Sequence, residues 1–176
     1  MVRENEIREN EVAVEPPPAV DAGLVFIGRI ETPWVLRLET PRQGRQDGPI
    51  CIIEVFEPWV AALRGIERSQ RLEILYWLDR SRRDLVLQSP ASNGETHGTF
   101  SLRSPVRPNP IGTSIVILEK VEGARLFVKG LDCLDGTPLI DIKPDRCLFT
   151  PVAPPQKGDF ETAHGPDDSP ISQLMK

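Results

Sequence analysis

Apolar and polar positions along this chain mostly repeat with a period of two. Residues 71–80 place Leu72, Ile74, Tyr76 and Leu78 on one side of an extended backbone. Side chains of a strand alternate between faces, so this spacing predicts a strand, with a short helix as the alternative. Residues 24–31 form a second such run, closed by Pro33, and 84–88 a short third. The run 49–57 is apolar almost without interruption, which predicts a strand covered on both faces. Further runs begin at His97, Thr113 and Ala124, and "PLIDIK" starts at Pro138. Only 58–67 breaks the pattern. Its proline opens it and its glycine stands near the end, which predicts one short helix or helical turn. Asn93-Gly94 and Asp135-Gly136 mark turns between runs. Many short strands joined by tight turns predict an all-β barrel or sandwich. No G-x-G-x-x-G follows a strand, so a Rossmann-type cofactor site is not signalled.

The 176 residues suit one domain with tails. Residues 1–22 are acidic and contain Pro16-Pro17-Pro18, which predicts a mobile tail. Residues 151–176 are rich in Pro, Asp and Ser and predict a second, irregular tail. The core, 23–150, lies between them. The formal net charge of -5 resides in the tails, which leave the core near neutral. Its bases are mostly arginine, whose planar fork suits phosphate and carboxylate. An RNA partner is therefore permitted, and a set of solvated arginines explains the same composition. Cys51, Cys133 and Cys147 have neither disulfide nor zinc spacing, which favours a reducing compartment. No apolar run is long enough for a membrane helix, and the first residues lack the apolar core of a secretory signal. The expected location is cytoplasmic.

Three segments could carry chemistry. "RSPVRPNPIG", Arg103 to Gly112, holds three prolines that restrict the backbone around Arg103, Arg107 and Asn109. Two aimed guanidinium groups would suit an anionic ligand. An ordinary proline-rich turn is the alternative. "GLDCLDGTPLIDIKP", Gly130 to Pro144, gathers Asp132, Asp135, Asp141 and Lys143. These acids could hold a metal or a ligand's amine and hydroxyls, or simply cap turns. The run Arg80, Arg82, Arg83, near Arg64, Arg68 and Arg71, is the best RNA-facing candidate. His97 and His164 form no metal-ligand pair.

Together, "IGRIETPW", "PRQG", "RGIE", "RSPVRPNPIG" and "GLDCLDGTPLIDIKP" stand in the order found in the TsaA-like (TrmO) tRNA methyltransferase family, which the chain resembles over about residues 24–145. The resemblance implies a single barrel-like β domain that binds S-adenosylmethionine and works as a homodimer, with the cofactor near the subunit interface. The implied reaction methylates N6 of a threonylcarbamoyl-modified adenosine beside a tRNA anticodon. Carried over by position, the implied cofactor-binding residues are Pro41, Arg42, Gln43, Asp79, Arg80, Arg103, Thr113, Leu131, Asp132, Cys133 and Leu134. Asn109, Asp141 and Lys143 are the candidate catalytic residues, as a base or as electrostatic help. No metal is implied.

Three positions depart from the family pattern. Arg71 and Asp79 stand where the family commonly has histidines, and Asp145 stands where it has tyrosine. These changes leave open a different RNA or small-molecule acceptor, or a non-catalytic binding module on the same barrel.

Overall fold

Alternation in the sequence becomes the two faces of a barrel wall. The computed structural model describes residues 7–15, 23–90 and 95–145. The 151–176 tail, the Asn93-Gly94 turn, Cys147 and His164 lie outside the described residues. Among the described residues nine strands form: β1 (Val12–Ala13), β2 (Gly28–Glu31), β3 (Cys51–Val55), β4 (Arg71–Trp77), β5 (Leu85–Gln88), β6 (His97–Gly98), β7 (Ile111–Glu122), β8 (Arg125–Lys129) and β9 (Thr137–Pro144). Six of them close an antiparallel barrel in the order β2-β3-β8-β7-β4-β9, with β9 pairing back to β2. Closure removes the exposed edges that an open sheet of this size would present.

The interior is filled by the inward residue of each alternating pair. Ile30, Ile53, Leu72, Ile74, Val116, Leu126, Val128 and Leu139 are wholly buried. Each contributes roughly 1.5–3 kcal/mol by leaving water. β4 carries the pattern most plainly, with Leu72, Ile74 and Tyr76 buried and the residues between them partly exposed.

Several expectations change in detail. The apolar run 49–57 is not covered on both faces: Cys51, Ile53 and Val55 face inward, while Ile50 and Phe56 are exposed. Only 28–31 of the run 24–31 pairs as a strand. The expected helix at 58–67 consists of two 3-10 segments, Trp59–Leu63 and Ile66–Arg68. Fewer than ten residues between Pro58 and Gly65 leave little room for a stable α-helix.

Part of the expected N-terminal tail is built into the fold. β1 pairs with β5, and β5 with β6, in a small sheet separate from the barrel. Glu11 is buried there, and its carboxylate accepts from the amides of Arg8 and Ser89. The acidic composition of 1–22 concealed this strand, because one buried glutamate looks like any other in a charged run.

Candidate functional site

The two segments richest in candidate residues, 41–44 and 130–134, meet at one end of the barrel. The Gly44 amide donates to the Asp132 carboxylate at 3.1 Å. A Cβ at Gly44 would stand 1.7 Å from the Gly130 carbonyl oxygen, so only glycine allows this approach. The other Asp132 oxygen accepts from the Tyr76 hydroxyl at 2.6 Å and from Ser114 at 3.0 Å. Tyr76 and Ser114 are themselves 2.9 Å apart. Burial, with the Asp132 charge beside it, pushes the Tyr76 hydroxyl well above its usual range. That phenol stays protonated and remains a donor. Gly112 sits flat against the Tyr76 ring, where a Cβ would lie 2.1 Å from a ring carbon.

This network sets the 41–44 loop against the end of β8. Pro41, Trp34, Glu39, Arg45, Gly130 and Leu131 line a pocket of about 180 Å³. Leu131 and Cys133 turn their side chains into the core, so they could touch a ligand only through backbone. Burial pushes the Cys133 thiol up to about 12 and that of Cys51 to about 11, which makes both poor nucleophiles. Arg42 and Gln43 are exposed on the loop. Leu134 closes a turn, its carbonyl accepting from the Thr137 hydroxyl at 2.7 Å. Asp135 caps the facing turn through the Thr32 amide at 3.0 Å.

The proline-rich loop uses its two arginines differently. Arg107 turns inward, donates to the Leu102 carbonyl and stacks over Phe100 at 5.9 Å. It braces the loop. Arg103 is exposed and makes no hydrogen bond or ion pair among the described residues, so it is the guanidinium left for a ligand. Asn109 is exposed at the end of the loop, with its carbonyl accepting from the Ile111 amide. Next to it, the Pro110 carbonyl accepts from Leu78 at 2.8 Å. Asp79 and Arg80, exposed in the turn after β4, therefore lie beside the end of this loop.

Thr113, Asp141 and Lys143 occupy the outer face of the wall instead. Thr113 and Asp141 flank Leu75 from either side in the strand register, and Lys143 pairs with Glu73. Thr113 donates to Glu73 at 3.2 Å, and Lys143 forms an ion pair with Asp141. Tyr76 and Ser114 lie on the opposite side of the same wall. The candidates thus form three groups: the 41–44 and 130–134 segments at the barrel end, Asp79, Arg80, Arg103 and Asn109 around the proline-rich loop, and Thr113, Asp141 and Lys143 on the outer face.

Two of the three family departures explain each other. The Arg71 guanidinium meets the Asp145 carboxylate at 3.1 Å, and the Asp145 amide donates to the Arg71 carbonyl. One ion pair therefore occupies both positions, at the junction of β4 and β9. Arg82 is equally engaged, with both Asp84 oxygens at 2.8 and 2.7 Å, and Arg83 stacks over Trp77 at 4.9 Å. The expected RNA-facing cluster loses those members and keeps Arg64, Arg68 and Arg80.

Sequence reasoning placed Tyr76 in the core and missed the hub formed with Ser114, Asp132 and Gly44. The available signal was one hydroxyl in each of two otherwise apolar alternating runs.

Known proteins share this architecture. The chain is 62% identical over 151 residues to the probable S-adenosyl-L-methionine-binding protein VirR of Rhizobium radiobacter, covering 86% of each. It is 36% identical over 138 residues to the tRNA (adenine(37)-N6)-methyltransferase of Mus musculus, covering 72% of this chain and 32% of that protein. The crystal structure of TrmO from Pseudomonas aeruginosa superimposes with a TM-score of 0.60 at 32% identity, over 79% of this chain and 62% of that one. Residues 29–146 match the model of the tRNA-methyltransferase O N-terminal domain, and the chain belongs to that family.

Proposed function

We propose that this chain is an S-adenosylmethionine-dependent tRNA methyltransferase acting on N6 of a threonylcarbamoyl-modified adenosine beside the anticodon, as a cytoplasmic homodimer. The observation that carries the reading is the Gly44–Asp132 bond, which holds the PRQ loop against the 130–134 segment. The names of the relatives support both the cofactor and the tRNA.

The residues present suit the cofactor. The amides of Leu131, Asp132 and Leu134 have no partner among the described residues. Leu131 is buried and Asp132 and Leu134 are half-buried; backbone donors so shielded are seldom left without a partner, and a bound adenine would engage them. Trp34 and Pro41 offer apolar walls, and Arg103, exposed on the proline-rich loop, offers a cation for the carboxylate. Bound S-adenosylmethionine supplies an electrophilic methyl group on a sulfonium. The chain's task is to align the acceptor and to take the proton that N6 gives up. We assign that proton to Asp141, which is ion-paired with Lys143 on the outer face of β9, and the contact to the acceptor base to Asn109. Val35, Leu36 and Leu38, each more than half exposed near the pocket, suit cover by a second subunit. A different acceptor is less favoured, because the changes at Arg71 and Asp145 form a structural ion pair.

The test has two arms. Calorimetry should show cofactor binding by the wild type and about tenfold weaker binding by Arg103→Ala, the loss expected for one charge-assisted contact. Nucleosides from a strain lacking the gene should lose the methylated form of threonylcarbamoyladenosine. Absence of cofactor binding at millimolar concentration would remove every enzymatic reading. Unchanged nucleosides in a strain without a redundant enzyme would leave the cofactor and remove the acceptor.

A further inference from the structure

The small sheet outside the barrel meets the arginine loop through two buried side chains, Gln88 and Thr99. Gln88, at the end of β5, is 6% exposed. Its Nε2 donates to the Thr99 hydroxyl and to the Val106 carbonyl, both at 2.8 Å. Thr99 is also buried, and its hydroxyl donates to the Leu85 carbonyl at 2.6 Å. Both N–H bonds of the glutamine amide are thus used on two points of one loop. Arg103 lies between those two points. The next fixed point toward the barrel is the Pro110 carbonyl.

β5 is held rigidly enough to serve as an anchor. On its other side β1 pairs with it across a bulge, Val12 opposite Leu87 and Ala13 opposite Leu85. The Val14 amide donates to the Asp84 carbonyl at 2.8 Å, and the Arg8 guanidinium donates to the Ser89 carbonyl at 3.0 Å. An apolar residue at Gln88 would fill the same space without the cost of burying an amide. A buried amide with both donors satisfied instead fixes a geometry. The sheet spends polar burial at the one place where it meets the loop.

We propose that Gln88 is a positioning residue: with Thr99 it clips both arms of the 99–106 segment to β5 and so sets Arg103 for cofactor binding. This rests on the assignment of Arg103 to the cofactor. The prolines stiffen the loop, Arg107 braces it from within, and Gln88 fixes it to the body of the protein.

The experiment compares Gln88→Met, Thr99→Val, Thr99→Ser and Arg103→Ala in the full chain. Calorimetry with S-adenosylmethionine is run well below the melting temperature of each, alongside hydrogen exchange of loop and barrel peptides. Methionine keeps the length of glutamine and loses its donors. Gln88→Met and Thr99→Val are expected to weaken cofactor binding by up to about tenfold, the loss expected when the Arg103 contact itself is removed. Exchange should rise across 99–109 and remain unchanged in β4 and β7. Thr99→Ser, which keeps the hydroxyl, should bind as the wild type does. In turnover assays KM for the cofactor should rise while kcat stays within about twofold. Wild-type affinity in Gln88→Met together with weak binding in Arg103→Ala overturns the positioning role alone. Faster exchange throughout the barrel also overturns it, because Gln88 would then act only on stability. Wild-type affinity in Arg103→Ala removes the cofactor assignment and this inference with it.

Discussion

Asp132 accepts from the Tyr76 and Ser114 hydroxyls with one oxygen and from the Gly44 amide with the other. The two sides of that carboxylate serve different ends, and substitution separates them. Tyr76→Phe removes one buried donor and leaves the Gly44 bond in place. It should cost about 1 kcal/mol of stability, the net worth of one hydrogen bond, with cofactor affinity retained. Asp132→Ala removes the tether as well. It should cost about 1–3 kcal/mol and also weaken cofactor binding, because the 41–44 loop is released. Denaturant titration and calorimetry on the two variants read the two effects apart; equal cofactor affinity in both would deny the tether its role. Little of this was legible in the sequence. A resemblance can carry Asp132 over as a cofactor-site position. It cannot say that the carboxylate faces the protein and leaves the backbone for a ligand. That distinction depends on which wall residues are hydroxyls, and on Gly44 and Gly130 packing without side chains, both of which are products of the closed barrel.

At the scale of elements, β4 and β9 meet through Arg71 and Asp145. Asp145 is buried and the Arg71 side chain is nearly half exposed, so solvent screens part of their attraction. A double-mutant cycle with Arg71→Ala and Asp145→Ala should give a coupling of about 0.5–1 kcal/mol by denaturant titration. Cofactor affinity and methyl transfer should be unchanged in both single variants. Loss of transfer with intact stability would return these positions to the acceptor site. The strands themselves were the most readable part of the sequence. The alternation of 71–80 predicts β4 and its inward face correctly, because a small closed barrel enforces a strict period of two. The run 49–57 misled for a related reason. Composition cannot tell which apolar residues a neighbouring element will cover, and here Ile50 and Phe56 remain exposed. β1 was unreadable, since two residues pairing with a distant strand leave no periodic trace.

For the whole molecule, the charge that could reach RNA is smaller than the arginine count suggests. Arg29, Arg45, Arg71, Arg82 and Arg125 are held in ion pairs, as are Lys120, Lys129 and Lys143. Arg83 and Arg107 stack on aromatic rings. Among the described residues, Arg37, Arg42, Arg64, Arg68, Arg80 and Arg103 are exposed without an ion pair. Breaking an existing pair to bind a phosphate returns little, because one carboxylate partner is lost for each phosphate gained. Affinity for tRNA should therefore depend on salt only as steeply as these six groups allow. For single-stranded contacts, each phosphate neutralised adds about -0.7 to the slope of log K against log salt. The expected slope is about -4.2 per chain, measured by binding titrations across a salt series. Replacing Arg64 and Arg68 together should flatten it by about 1.4 if both touch phosphate. A wild-type slope beyond about -6 would mean that the paired arginines exchange partners on binding, or that a second subunit contributes to the same RNA surface.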